Sequence, residues 1–261
     1  MRSSSSSSES ILIKGLKELS LPIAPLQIRA FMTYLSELKK WNKAYNLTSL
    51  KTDEEIIVKH FLDSLLYLSA LQDGIVSVMD VGSGAGFPGV PLKIMRPEIM
   101  MYLLEPSRKK ANFLRHIIQT LALDAIEVVE KRIEEVRALT VDVAVTRALF
   151  QIREFIKKAS PCVKEGGMLI LSKGPRVKEE LTEVKEMDCE VLTLFLPTTH
   201  IKRFVVLIRK ESADTPPEEI PPKSGRHHAS TISTICVNSE CRLRKAGCRG
   251  FEGCPGFRAK E

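Results

Sequence analysis

The chain has 261 residues, of which 44% are hydrophobic and 27% charged, a composition that is typical of a globular protein with a sizeable core and excludes a disordered one. No apolar run approaches the roughly 20 residues that cross a bilayer, and no apolar segment follows the serines at 3–8, so we expect no membrane partner, no secretory signal and a cytoplasmic protein. The net charge of +7 lies mostly in residues 223–261, with eight Lys or Arg against three Glu, and by itself it indicates a polyanionic partner only weakly.

The first part of the chain predicts a leader followed by helices. Residues 1–10 are rich in serine, and we expect them to be disordered. Residues 11–74 carry apolar side chains at helical spacing and predict an N-terminal helical subdomain. Residues 52–55 (Thr-Asp-Glu-Glu) form a capping box ahead of a helix on which His60 and Asp63, three positions apart, share a face.

Residues 75–210 alternate short apolar runs with helical patterns, of which the clearest is 107–123. This alternation predicts right-handed crossovers and an α/β fold: a mostly parallel, seven-stranded, Rossmann-like sheet covered on both faces. The connection at 197–201 is too short for a helix, so the last two strands should pair as a hairpin and leave one antiparallel strand at the sheet edge. The predicted strands are 76–81, 100–105, 126–129, 141–146, 168–172, 190–196 and 203–209.

The first of these strands runs into a glycine-rich loop, Asp80-Val-Gly82-Ser-Gly84-Ala-Gly86. Glycines let a backbone approach a ligand closely, although a lone glycine triplet is equally typical of a tight strand-to-helix turn. Dinucleotide folds use G-x-G-x-x-G to bring a pyrophosphate to a helix N-terminus. The G-x-G-x-G spacing here favours S-adenosylmethionine, whose cationic end Asp80 could face directly or through water.

The next strand ends at Glu105, which could accept hydrogen bonds from both hydroxyls of a ribose. This role is shared by nicotinamide and methyltransferase folds, so Glu105 indicates an adenosine ligand without separating the two. A solvated acid at a strand end is the alternative.

The chain resembles the ribosomal RNA small-subunit methyltransferase G family, also called glucose-inhibited division protein B, from about residue 11 to about residue 210. The phenylalanine, proline and glycine that continue the glycine loop at 87–89 are specific to this family, as is the segment 41–48. The segments that carry the resemblance are 41–42, 45–48, 60–64, 80–92, 132–135, 146–148 and 166–174.

The resemblance implies an S-adenosylmethionine-dependent methyltransferase with the Rossmann-like fold, acting as a monomer on N7 of a guanine in 16S ribosomal RNA or the small ribosomal subunit. Guanine N7 bears no hydrogen, so we expect an in-line displacement without a general base and assign no catalytic residue. The resemblance implies that the cofactor is bound by Gly82, Phe87, Ile133, Glu134 and Arg147. To these we add Asp80, Gly84 and Glu105 from the loop and strand discussed above. Candidates for positioning the base are Asn46, His60, Asp63, Arg147 and Lys173.

Several of these assignments have structural alternatives. His60 is equally typical of a histidine that only packs at a subdomain junction. The basic residues at 108–110 and Arg115 could contact RNA phosphates or form a solvated helix face. Trp41, Tyr45 and Phe87 could stack on bases, although aromatic residues in such a segment more often belong to the core.

The end of the chain lies beyond the resemblance. Residues 211–230 read as a linker and 231–261 as a basic, cysteine-rich tail. Four thiols, Cys236, Cys241, Cys248 and Cys254, could hold a structural zinc, which we favour, or an iron–sulfur cluster; a disordered tail is the alternative.

Three other functions remain open at this stage. The chain could be an NAD-dependent oxidoreductase, a methyltransferase acting on DNA, protein or a small molecule, or a non-enzymatic RNA-binding metalloprotein that uses the tail.

Overall fold

The structure is a computed structural model that describes residues 3–147, 149–175, 177–184, 187, 189–210, 235–236 and 257–258. The chain divides into two compact units, Met1–Thr215 and Pro216–Glu261. The first unit contains the seven-stranded sheet and the helices that pack on it.

The N-terminal region is helical. It consists of α1 (Ser3–Glu18), α2 (Pro25–Tyr45), which begins with a proline in its first turn, and a third helical run. That run opens at the predicted capping box, because the Thr52 hydroxyl accepts a hydrogen bond from the Glu55 amide at 3.1 Å. Its parts are α3 (Asp53–Ile56), a π-helical turn (Ile57–Leu62), α4 (Asp63–Leu65) and a 3₁₀ turn (Leu66–Ser69).

The prediction that residues 1–10 are disordered is wrong from residue 3 onward, because α1 already begins at Ser3. Ser8 is buried, and its hydroxyl donates to the Asp53 carboxylate at 3.3 Å. Leu12 and Leu16, both fully buried, anchor the same helix one and two turns later. Serines therefore continue a helix here, because tertiary contacts outweigh their weak helical propensity.

The seven-stranded sheet confirms the predicted fold class. Its order is β3-β2-β1-β4-β5-β7-β6, with β1 to β5 parallel and β7 antiparallel to both neighbours. The hairpin of β6 and β7 forms as predicted, but the antiparallel strand β7 lies second from the edge, between β5 and β6. The strands are β1 (Ser77–Val81), β2 (Met100–Leu104), β3 (Ile126–Val129), β4 (Val141–Arg147), β5 (Val163–Lys173), β6 (Cys189–Phe195) and β7 (Lys202–Arg209).

Helices cover both faces of this sheet, as predicted. The helices after β1 are α5 (Gly89–Met95), α6 (Arg108–Thr120), α7 (Ile152–Ala159) and α8 (Val177–Thr182), with 3₁₀ turns at Ile133–Glu135 and Ser160–Cys162. On one face, α2 and the π-helical turn share a hydrophobic core with α5 and α6, so the predicted subdomain 11–74 shares its core with the sheet domain. On the other face, α7 and α8 pack over a second core.

The second unit is described only at two short strands, β8 (Ile235–Cys236) and β9 (Phe257–Arg258), which pair antiparallel. The predicted linker 211–230 and most of the tail 231–261 lie outside the described residues. Across the described chain, no helix has the length and apolar character needed to cross a membrane.

Candidate functional site

The candidate site lies where β1, β2 and β4 end, at the carboxyl edge of the sheet. The glycine loop that follows β1 turns through positive φ angles of 76° at Gly82, 60° at Gly84 and 98° at Gly86. The amides of Gly82 and Ser83 both donate to the Leu104 carbonyl of β2, at 2.9 and 3.0 Å. The glycines therefore supply a backbone conformation that other residues rarely adopt, and the neighbouring strand holds the loop in place.

Asp80 is fully buried beneath this loop. Its Oδ2 accepts a hydrogen bond from the Gly89 amide at the start of α5, at 2.9 Å. Its Oδ1 has no hydrogen-bond partner among the described residues. Burial raises the pKa of Asp80 to about 7, although the Gly89 amide and the Arg147 charge act in the opposite direction. The loop thus encloses a carboxylate with one unused acceptor.

Glu105 follows β2 and is also buried. One carboxylate oxygen accepts from the Gly84 amide and the other from the Ser107 amide, both at 2.9 Å. Each oxygen retains a second lone pair, so the carboxylate can still accept from another donor. Glu105 is therefore positioned by the glycine loop and by the start of α6.

A cavity of about 180 Å³ opens beside Gly82, and its lining includes the predicted residues Ile133 and Glu134. Leu149 lines it as well: a Cβ atom added at Gly82 would lie 2.2 Å from Leu149 Cδ2. Glu134 pairs with Lys158 at 2.8 Å, which lowers the pKa of Glu134. Larger clefts of about 440 and 340 Å³ border α2 and contain none of the predicted site residues.

Arg147, the last residue of β4, joins the glycine loop to the π-helical turn. Its guanidinium donates to the Lys59 carbonyl at 3.1 Å and to His60 Nδ1 at 3.0 Å. It lies 5.2 Å from the centre of the Phe87 ring and 3.6 Å from the Asp63 carboxylate. Four predicted site residues, Phe87, His60, Asp63 and Arg147, are therefore brought together as one cluster.

His60 is held on three sides within this cluster. Its ring stacks on Phe87, with centroids 4.4 Å apart. Since Nδ1 accepts from Arg147, we assign the ring proton to Nε2, which donates to the Thr48 hydroxyl at 2.7 Å. Burial, with the neighbouring Arg147 charge, lowers the pKa of His60 to about 3. His60 is therefore a neutral acceptor for Arg147, and its lone pair is already engaged.

Asp63 is buried between two arginines. Arg203 Nε on β7 donates to it at 2.7 Å, and Arg147 lies on its other side. Burial raises the pKa of Asp63, while the two guanidinium groups oppose that change. Together, Arg147, Arg203 and Asp63 carry a net positive charge.

Sequence reasoning missed three residues that support this cluster: Thr48, Tyr67 and Arg203. Tyr67 donates its hydroxyl hydrogen to the Thr146 carbonyl and accepts from the Ser172 amide, so it joins the ends of β4 and β5. Nothing in the sequence pattern marks a buried tyrosine for this role. Arg203 did leave a signal, since it is a cation at the beginning of an apolar strand.

Two predicted positioning residues lie apart from the cluster. Asn46 is exposed and ends α2 in the left-handed conformation, with a φ of 50°. Lys173, at the end of β5, pairs with Glu180 at 2.7 Å and donates to the Phe150 carbonyl. Within the described part of the chain, neither the Asn46 nor the Lys173 side chain has a hydrogen bond or ion pair with Arg147 or Phe87.

The predicted metal ligands cannot be assembled from the described residues. Cys236 belongs to β8, while Cys241, Cys248 and Cys254 lie outside the described part of the chain. Within the described part, no group of His, Cys, Asp and Glu could hold a metal ion.

Comparison with known proteins identifies similar sequences over most of the chain. A family model described as rRNA small subunit methyltransferase G matches residues 27–205. The ribosomal RNA small subunit methyltransferase G of Caldanaerobacter subterraneus subsp. tengcongensis is 35% identical over 223 residues, covering 81% of this chain and 92% of the relative. The protein of the same name from Pelotomaculum thermopropionicum is 38% identical, covering 81% and 93%.

Among solved structures, a methyltransferase from Pyrococcus furiosus superposes with a TM-score of 0.52 at 14% identity, covering 69% of this chain and 97% of that chain. This similarity concerns the fold alone, and it agrees with the Rossmann-like methyltransferase sheet described above.

Proposed function

The chain belongs to the rRNA small subunit methyltransferase G family, and from that premise we propose that it transfers a methyl group from S-adenosylmethionine to N7 of a guanine in 16S ribosomal RNA. The observation that carries this proposal is the position of the Arg147 cluster directly beside the glycine loop. The names of the relatives support the RNA substrate. Because one chain supplies every residue of the cluster, we propose that the enzyme acts as a monomer.

The residues around the glycine loop fit the methyl donor. Its adenosine would suit the apolar cavity beside Gly82, with Ile133 against the base and Glu105 accepting from the ribose. Asp80 offers the unused acceptor that a cationic group requires. When bound, the donor supplies an electrophilic methyl group on a sulfonium; Gly82 and Gly84 let the backbone approach it without side chains in between.

Methyl transfer to guanine N7 does not require a general base. N7 carries an exposed lone pair and no hydrogen, so no residue has to remove a proton. His60 would make a poor base in any case, because its free lone pair accepts from Arg147 and its pKa is far below neutrality. The residues therefore act by orientation, and Arg147 is the side chain best placed to orient the target base.

His60 and Asp63 act through Arg147 as positioning residues. His60 accepts from Nη2 of the guanidinium, and the Asp63 carboxylate lies 3.6 Å from Nη1. Methylation at N7 leaves a positive charge on the base, and Arg147, Arg203 and Asp63 together are already positive. We therefore infer that a phosphate of the RNA, rather than Asp63, offsets the charge that develops on the base.

Methyl transfer from labelled S-adenosylmethionine to deproteinised small-subunit ribosomal RNA tests the proposed function. The purified protein should label one guanine at N7, and Arg147→Lys should lose most of this activity, because an ammonium cannot reproduce the forked contacts of a guanidinium. Titration calorimetry should show binding of S-adenosylmethionine and not of NAD. Binding of NAD alone would favour an oxidoreductase, and label on another substrate only would favour a different methyltransferase.

For the tail we propose a structural zinc site formed by Cys236, Cys241, Cys248 and Cys254. The support is the occurrence of four thiols close together in the tail, since four thiolates can surround one zinc ion. Metal analysis of the purified full chain should find about one zinc per protein, and a variant with all four cysteines changed to serine should contain none. Iron and labile sulfide in that analysis would favour a cluster.

A further inference from the structure

The first turn of α6 carries three consecutive cations, Arg108, Lys109 and Lys110, which we call the α6 basic turn. Arg108 and Lys109 are exposed and Lys110 is half-buried. Among the contacts of the described residues, none of the three forms an ion pair. Arg115, two turns later, does have an acidic partner, since it pairs with Glu130 at 2.9 Å.

The α6 basic turn does not stabilise the helix that carries it. The positive end of a helix dipole lies at its first turn, where acids are favourable and cations unfavourable. The first turn of α6 contains no acid. Three cations at this end therefore lower the stability of the helix rather than add to it.

The α6 basic turn lies next to the glycine loop. Glu105 accepts from the Ser107 amide, immediately before α6, and from the Gly84 amide of the loop, both at 2.9 Å. The three cations therefore follow within five residues of Glu105, whose carboxylate contacts the glycine loop. They follow the carboxyl end of β2, and Arg147 lies at the carboxyl end of β4, so both are at the same edge of the parallel sheet.

An exposed aromatic residue, Tyr45, ends the neighbouring helix α2. Glu37 contacts His116 at 2.8 Å, and one turn later Trp41 packs 5.5 Å from Phe113, so α2 runs antiparallel to α6. Tyr45, one turn beyond Trp41 and 5.3 Å from its ring, therefore lies toward the first half of α6. Its side chain is 45% exposed.

We propose that the α6 basic turn and Tyr45 form the surface on which the RNA strand flanking the target guanine docks, an inference that rests on the proposed function. Arg108, Lys109 and Lys110 bind its phosphates, and Tyr45 stacks on an unpaired base. Cations without acidic partners suit a polyanion, and an exposed ring suits a single-stranded segment. The phosphate that offsets the charge on the methylated base belongs to this strand.

Charge-matched variants test the basic turn. In R108Q/K109Q/K110Q, affinity for deproteinised 16S ribosomal RNA should fall on the order of tenfold or more at moderate salt, and the slope of log affinity against log salt should decrease by about 3. The control R137Q/K157Q/K178Q removes the same charge from exposed cations on the other face of the sheet and should leave both values unchanged. Affinity for S-adenosylmethionine without RNA should stay the same in the first variant, and its melting temperature should be equal or higher.

Variants of Tyr45 test the stacking part of the proposal independently. Tyr45→Ala should weaken RNA binding about tenfold without changing the salt slope, and Tyr45→Phe should restore binding. The inference would be overturned if R108Q/K109Q/K110Q kept the RNA affinity and salt slope of the wild type, or if its losses equalled those of the control. Either result leaves the proposed function intact as long as the wild-type protein methylates the RNA. A wild-type protein that neither binds nor methylates small-subunit ribosomal RNA would instead overturn the proposed function.

Discussion

Arg147 depends on partners from two separate segments: Lys59, His60 and Asp63 in the third helical run, and Phe87 in the glycine loop. A guanidinium is planar and donates in a fixed fork, so these partners fix its orientation as well as its position. Changes at these partners should therefore all act on the orientation of Arg147, and through it on methyl transfer.

For His60 we predict a loss of catalytic efficiency without a change in pH dependence. His60→Phe keeps a ring against Phe87 but removes the acceptor for Arg147, so kcat/KM should fall on the order of a hundredfold. Because the pKa of His60 is about 3, the protonation state of the wild-type residue stays the same from pH 6 to pH 8. Initial rates over this range would contradict the assignment if a wild-type titration near pH 6.5 disappeared in the variant.

For Asp80 we predict opposite effects on stability and donor binding. Burial raises the folded-state pKa from 3.8 to about 7, so folding favours the protonated acid. The stability that this gives at low pH is lost as the pH rises through 7. Asp80→Asn removes this dependence, so at pH 8 the unliganded variant should unfold at higher denaturant than the wild type, while it binds S-adenosylmethionine more weakly.

Unfolding free energies measured from pH 4 to pH 8 test that prediction. The difference between Asp80→Asn and the wild type should grow with pH. Parallel curves for the two proteins would contradict it, because they would mean that the carboxylate does not change its proton affinity on folding.

The resemblance named the four side chains of the cluster among its candidate residues, but which of the candidates contact one another could be seen only in the structure. Phe87, His60, Asp63 and Arg147 come together, whereas Lys173 is engaged by Glu180 on α8. Thr48 and Tyr67 were missed because their roles depend on contacts between distant segments that no local pattern encodes.

The element most specific to the site is the glycine loop between β1 and α5. Gly82 and Gly166 both have positive φ, 76° and 71°, but only at Gly82 would a Cβ meet other atoms. The nearest of those atoms is the end of the Leu149 side chain, which is exposed and can move. The two glycines therefore form a matched pair in which one position faces the donor site.

Gly82→Ala and Gly166→Ala should both lower stability, by about 1–2 kcal/mol, because alanine is strained at positive φ. Only Gly82→Ala should weaken S-adenosylmethionine binding, by about tenfold or more, since its methyl group enters the space in which the backbone meets the ligand. Thermal unfolding and calorimetry on the two variants separate these effects. Equal donor affinity in both variants would contradict the placement of the ligand against Gly82.

At the element scale, the apolar runs predicted every strand of the main sheet, and the prediction was less accurate at the ends. β5 begins five residues before the predicted start, because its pairing with β4 includes a register irregularity between Val141 and Val143. The π-helical turn Ile57–Leu62 was not predicted, since its apolar spacing also fits an ordinary helix. Both features depend on packing rather than on local pattern.

The whole molecule divides between the unit Met1–Thr215, which contains β1 to β7 and the candidate site, and the unit Pro216–Glu261. A chain ending at Thr215 should therefore keep the unfolding temperature and the S-adenosylmethionine affinity of the full chain. It should contain no zinc if the tail holds the metal. A large drop in either property would contradict the independence of the first unit.

We propose that this chain places a methyl group on one guanine of the small-subunit ribosomal RNA. Mass spectrometry of 16S ribosomal RNA fragments from cells with and without the gene measures this most directly. We predict that one guanine loses a single methyl group at N7 in the deletion strain and regains it with the wild-type gene, but not with Arg147→Lys. Identical modification of every fragment in the two strains would contradict the account.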